Sequence, residues 1–176
     1  MDHTLCQWLR RTLVPLRTPP VTCQEARPPW AIEEKQFLAL CNRCGDCFRA
    51  CPQGLLHPAD RAEYRGSAIL GTPILDLSCG QCSYCGSCAR ACPTGALDLA
   101  LGRQVQTRVR VSAQCQASLG YYCLLCEDAC PRLAIKVTPQ GVQLNHEACD
   151  GCGACGLACF HGAITLERHP KTKTEP

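Results

Sequence analysis

Cys82-Ser-Tyr-Cys85-Gly-Ser-Cys88-Ala-Arg-Ala-Cys92-Pro93 places four cysteines within eleven residues. Three arrive at three-residue steps, and the fourth follows after three intervening residues with a proline behind it. A cubane of four irons needs one outside donor at each corner, and soft thiolate is the preferred donor. In C-x2-C-x2-C the backbone curls so that one loop supplies three corners, and Gly86 permits the close approach this needs. The fourth cysteine, three residues on, starts the short helix, and the proline turns the chain away.

The unit recurs on both sides. Upstream stands Cys41-Asn-Arg-Cys44-Gly-Asp-Cys47-Phe-Arg-Ala-Cys51-Pro52, and downstream Cys149-Asp-Gly-Cys152-Gly-Ala-Cys155-Gly-Leu-Ala-Cys159-Phe160. A modified copy, Cys123-Leu-Leu-Cys126-Glu-Asp-Ala-Cys130-Pro131, has Gly120 where its first cysteine is expected, and Cys115 is the substitute. With this spacing the fourth cysteine of one unit ligates the neighbouring cluster. The expected sets are Cys41, Cys44, Cys47 with Cys92; Cys82, Cys85, Cys88 with Cys51; Cys149, Cys152, Cys155 with Cys130; and Cys115, Cys123, Cys126 with Cys159. Three [4Fe–4S] clusters follow from the complete copies, and a fourth from the modified one.

Two other uses of cysteine compete. Zinc also takes C-x2-C pairs, but it usually joins two separated pairs rather than three cysteines in seven residues. A disulfide framework fits a secreted chain. Here the count of 19 cysteines is odd, and no apolar stretch follows Arg10-Arg11 before Pro15 and Arg17 interrupt it. A cytoplasmic location is therefore expected. Cys6, Cys23 and Cys79 fall outside the units and are read as bystanders, although Cys79 stands one three-residue step before Cys82. None of the five histidines is assigned a role, and His57 and His161 are expected on the surface near cysteine loops.

Around the units the chain divides into an extended Arg/Pro-rich arm over 1–40, modules over 41–105 and 106–168, and a polar tail over 169–176. Gly95-Ala-Leu-Asp-Leu99, Leu133-Ala-Ile-Lys-Val137 and Gly162-Ala-Ile-Thr-Leu166 alternate like short strands. Gln140-Gly141 reads as the turn of a hairpin into Val142-Gln-Leu144. The residues between the third and fourth cysteines suit one or two turns of helix. The fold class is α+β: tandem bacterial-ferredoxin-like modules of short strands and helices wrapped around clusters. With three Phe, two Trp and one Met in 176 residues, side-chain packing alone is a thin source of stability.

The formal charge of +3 counts every cysteine as neutral. A cluster of +2 held by four thiolates carries about −2, so four of them take the chain to roughly −5. The loaded protein is then acidic, which argues against nucleic acid as a partner. No stretch approaches the ~20 apolar residues of a membrane helix. Outside the cysteines nothing suggests a catalytic dyad, a nucleotide loop or a flavin site, so the chain is not expected to be an enzyme with its own substrate.

Arg27-Pro28-Pro29-Trp30, Phe37-Leu38 ahead of the first unit, the long step from Cys115 to Cys123, and Cys149-Asp-Gly-Cys152-Gly-Ala-Cys155 together resemble the NapF family of ferredoxin-type accessory proteins. Phe160, in place of the usual proline, and the extra Cys79 depart from that pattern. The resemblance implies a cytoplasmic accessory protein that acts on the catalytic subunit of periplasmic nitrate reductase before export, in electron transfer and maturation of its centres. The alternative is a general polyferredoxin-type carrier or an electron-transfer subunit of a larger oxidoreductase. Under the first reading Arg10, Arg11, Arg17 and the Arg27–Trp30 segment are candidates for the partner-recognition surface; the alternative is that Trp30 packs against the first cluster module and the arginines are solvated.

Overall fold

The computed structural model describes residues 26–60, 64–78, 80–103 and 107–168. Cys6, Cys23, Cys79, Arg10, Arg11, Arg17 and the tail over 169–176 lie outside the described residues.

The fold begins earlier than the cysteine units. Residues 26–40 were expected to belong to an extended arm, but they are packed. Helix α1, Glu34–Leu40, starts on Glu33, whose carboxylate accepts the backbone N–H groups of Lys35 at 3.1 Å and Gln36 at 3.3 Å. Its buried face is Phe37, at 0% exposure. Arg27, only 3% exposed, donates from Nε and Nη2 to the Glu34 carboxylate at 3.1 and 2.7 Å, and from Nη1 to Thr72 Oγ1 at 2.7 Å and the Pro73 carbonyl at 2.9 Å. A buried guanidinium needs such a set of acceptors to offset its desolvation. Pairing with a carboxylate seven residues on is what turns an apparently exposed basic stretch into a core element.

Each cysteine unit then contributes one short helix: α2 at Asp46–Ala50, α3 at Ser87–Arg90, α4 at Leu125–Asp128 and α5 at Ala154–Ala158. α2 packs on α3 and α4 on α5, so the units associate as pairs. Among the described residues three two-stranded antiparallel sheets surround them. β1 (Leu56–Pro58) pairs with β2 (Pro73–Leu75), β3 (Thr107–Val111) with β6 (Ile164–Arg168), and β4 (Ile135–Thr138) with β5 (Gly141–Leu144). β4 and β5 form the expected hairpin, with Thr138 opposite Gly141.

The stretch Gly95–Leu99 differs from expectation. It makes a single bridge, Ala31 opposite Leu97, and then turns. Asp98 is the reason: its carboxylate accepts the Ala100 N–H at 2.8 Å and caps a 3₁₀ turn over Leu99–Leu101, so the strand stops after one residue.

One continuous core runs through both pairs of units. It includes Trp30, Phe37, Leu55 and Leu77 from the first half and Val109, Ile135, Ile164 and Leu166 from the second. A smaller cluster of Cys115, Ala117 and Ala163 sits against Val111, Val137, Val142 and Cys159. Several cysteines are themselves core residues, which is how a chain poor in large apolar side chains encloses its interior. Among the described residues no helix is long and apolar enough to cross a membrane.

Candidate cluster-binding sites

Three cavities among the described residues are each lined by four cysteines. Cys41, Cys44, Cys47 and Cys92 line one, walled by Phe37, Phe48 and Leu97. Cys51, Cys82, Cys85 and Cys88 line a second, walled by Trp30, Leu55 and Tyr84. Cys130, Cys149, Cys152 and Cys155 line a third, beside Val109 and Ile135. In each, three cysteines come from one loop and the fourth from the partner unit. The remaining four are also gathered: Cys115 and Cys123 lie close enough to Cys126 for their charges to raise its pKa, and Cys159 packs in the small cluster around Cys115.

The shape of these sites bears on what fits them. Among the described residues no three His, Cys, Asp or Glu side chains converge on a point suited to a single metal ion. The cysteines surround a volume instead, as a polynuclear group requires. The 16 described cysteines form no disulfide.

Electrostatics give a second test of fit. Burial, reinforced by the charges of Cys41, Cys44 and Cys92, pushes the Cys47 thiol up to about 12. Cys88 is likewise pushed to about 12 by burial and by Cys82 and Cys51, and Cys155 to about 12 by burial and by Cys149, Cys152 and Cys130. Four thiolates cannot share a half-buried pocket without a compensating cation, and the +2 core of a [4Fe–4S] cluster supplies that charge. Backbone donors are already in place. The Leu55 N–H reaches Cys51 Sγ at 3.4 Å, and the Ala134 N–H reaches Cys130 Sγ at 3.3 Å. For Cys92 burial presses upward, but hydrogen bonds from the Thr94 hydroxyl and the amides of Leu97, Thr94 and Ala96 outweigh it and leave the thiol below its ordinary value. Ser87 lowers Cys85 through its hydroxyl and its amide.

Comparison with known proteins gives two 4Fe–4S matches, a dicluster domain over residues 40–96 and a 4Fe–4S binding domain over 142–165. The ferredoxin-type protein NapF of Escherichia coli is 35% identical, the match covering 80% of this chain and 84% of that one. The chain belongs to the NapF family. NapF of Haemophilus influenzae is 38% identical over 80% of this chain and 77% of its own. The methylamine utilization ferredoxin-type protein MauM of Paracoccus denitrificans is 36% identical over 86% and 74%. This member of the NapF family is thus a ferredoxin-type [4Fe–4S] electron-transfer protein built from tandem 4Fe–4S ferredoxin domains.

Several site residues carry no cysteine signal. Trp30 lines the second cavity and is 8% exposed, so its place is in the fold rather than on a recognition surface. Tyr84 lines the same cavity in a left-handed conformation, φ 56°. Arg43 and Gly151 hold the same place in their loops, just before the second cysteine, with φ 61° and 67°. That shared position was readable by aligning the repeats. Arg90 folds back to donate to the Cys85 carbonyl at 2.9 Å and to Ser87 Oγ at 3.1 Å, covering the outer side of the second set. His161 is exposed and His57 half-buried, and neither lines a described cavity.

Proposed function

We propose that this chain holds four [4Fe–4S] clusters on the crossed sets of 16 cysteines and works as a cytoplasmic electron-transfer and maturation factor for the catalytic subunit of periplasmic nitrate reductase before its export. The observation that carries the cluster assignment is the crossing itself. Cys92 closes the Cys41 set, Cys51 the Cys82 set and Cys130 the Cys149 set, each around its own cavity. Bound clusters supply one-electron transfer. The chain's own part is to hold the sulfurs apart, aim amides at them and keep water out with Trp30, Phe37 and Leu55. The modules are the paired units over 41–105 and 106–168, joined by a shared core.

The nitrate reductase reading rests on the NapF relatives. A match of 32% identity with the ferredoxin-type protein NapG of Haemophilus influenzae accompanies them, covering 76% of this chain and 54% of that one. MauM, at similar identity, favours a second reading: an electron carrier for another oxidoreductase. Affinity capture from anaerobic cytoplasm distinguishes the two. Co-purification of the nitrate reductase catalytic subunit, in its unexported form, supports the first. Recovery of a different oxidoreductase in its place supports the second.

A further inference from the structure

Besides the shared core, one loop ties the two halves together. Four successive residues, Asp150 to Gly153, are each held by a residue from elsewhere in the chain. The Asp150 carbonyl accepts the Tyr84 hydroxyl. The Gly151 carbonyl accepts Thr107 Oγ1 at 3.2 Å, in a buried bond. The Cys152 carbonyl accepts the Cys82 N–H at 2.9 Å. Gly153, at φ +90°, lies so close to Leu77 that an added Cβ would stand 3.0 Å from the Leu77 Cβ. Tyr84, Cys82 and Leu77 come from the N-terminal half. The loop they hold supplies three of the four cysteines of the third set.

Cys82 belongs to the second set and Cys152 to the third, so this hydrogen bond joins two cysteine residues of different sites directly, backbone to backbone. Tyr84 sits between the same two sets. Arg103 covers its ring at 5.0 Å. The first and second sets are also neighbours, since Cys47 acts on the charge of Cys88. The second set thus lies next to both the first and the third.

We propose that the Cys82–Cys152 contact is the junction through which electrons cross between the two halves, and that Tyr84 is the positioning residue that keeps it closed. The inference rests on the cluster assignments proposed above. In the crossing one electron leaves the group held by one set, which is oxidised, and reduces the group held by the other. No bond forms or breaks and no proton moves.

The test uses the full chain loaded anaerobically, beside its Tyr84→Phe variant. Iron and labile sulfide are measured first. Both proteins are then reduced with dithionite, and electron paramagnetic resonance reads the spin–spin interaction between halves, identified by its disappearance in a Cys130→Ser, Cys155→Ser chain. Equilibration between halves after partial reduction is timed separately. The expected result is wild-type iron content in Tyr84→Phe, unchanged interaction within each half, and a closed-to-open ratio at the junction lowered roughly fivefold, the effect of one net hydrogen bond. That change is read as a smaller coupled fraction and slower equilibration. Coupling and rate unchanged in Tyr84→Phe overturn the proposal, as does a wild type in which removing the third centre alters no interaction. Loss of iron in Tyr84→Phe makes Tyr84 a folding residue and overturns its positioning role. A wild-type chain without iron at the Cys149 loop overturns the cluster assignment itself.

Discussion

The guanidinium carbon of Arg27 lies 4.6 Å from the centre of the Phe37 ring, with Glu34 gripping the same group from the side at 2.7 Å. This contact ties residues 26–40 to the first pair of cysteine units. Arg27→Ala leaves Thr72 Oγ1, the Pro73 carbonyl and Glu34 without a donor they share in the native protein. The expected destabilisation is about 2–4 kcal/mol. Arg27→Lys, which cannot reproduce the fork, recovers only part of it. Thermal unfolding of the loaded protein, followed at the cluster absorption band, measures both.

Trp30→Ala removes a wall of the second cavity. Truncating a buried aromatic side chain costs about 3–5 kcal/mol, and here the space left opens the Cys51, Cys82, Cys85 and Cys88 site to water. Iron falls by about four atoms per chain from a loaded value of about 16. Unchanged iron, together with weakened capture of a partner, would instead return Trp30 to a recognition role.

Removing the clusters exposes a pH dependence with a definite sign. In the folded chain Cys47, Cys88 and Cys155 have pKa values raised from 9.0 to about 12, so above pH 9 the unfolded chain releases protons that the folded one retains. Stability is complete below about 9 and is lost as pH rises toward 12. Circular dichroism of the reduced, cluster-free protein should show residual structure at pH 7 that disappears across that window. The loaded protein, with its sulfurs already bound as thiolates, does not share this window.

Arg90→Leu removes a cation from the outer side of the second site without touching a cysteine side chain. A positive charge favours the reduced, more negative state of a cluster, so its loss lowers that site's potential, by tens of millivolts for charges near a surface. A redox titration followed by electron paramagnetic resonance reads the shift. Equal potentials in variant and wild type would mean that solvent screens Arg90 completely.

How much of this was legible beforehand depended on range along the chain. The cysteine loops, the helices after them and the β4–β5 hairpin are local, and their spacing or turn residues announce them. Thr107-Arg-Val-Arg-Val alternates as plainly as any strand here, with Thr107 and Val109 buried and Arg108 and Arg110 exposed, yet it was passed over because it lies between units. β1 and β2 are three residues each and contain the paired prolines Pro58 and Pro73, a composition that points away from strand. Arg27 reads as exposed because a buried arginine is recognised only through its partners, and besides Glu34 these include Thr72 and Pro73, 45 and 46 residues away; for Trp30 the sequence leaves packing and recognition both open, and the structure packs it. Tyr84 was hidden similarly, its acceptor 66 residues downstream.

The register of β3 against β6, with Thr107 opposite Arg168 and Val111 opposite Ile164, sets a timetable for biosynthesis. The first two sites are complete once Cys92 has emerged and Leu97 has bridged back to Ala31. The second pair cannot close until β6 is made, roughly 70 residues later, which is several seconds at about 5–20 residues per second on the ribosome. During that interval Cys115, Cys123, Cys126 and Cys130 are exposed thiols beside a finished half. A nascent chain stalled in that stretch should already carry iron on its N-terminal half alone, and its remaining cysteines should be the ones that oxygen reaches first.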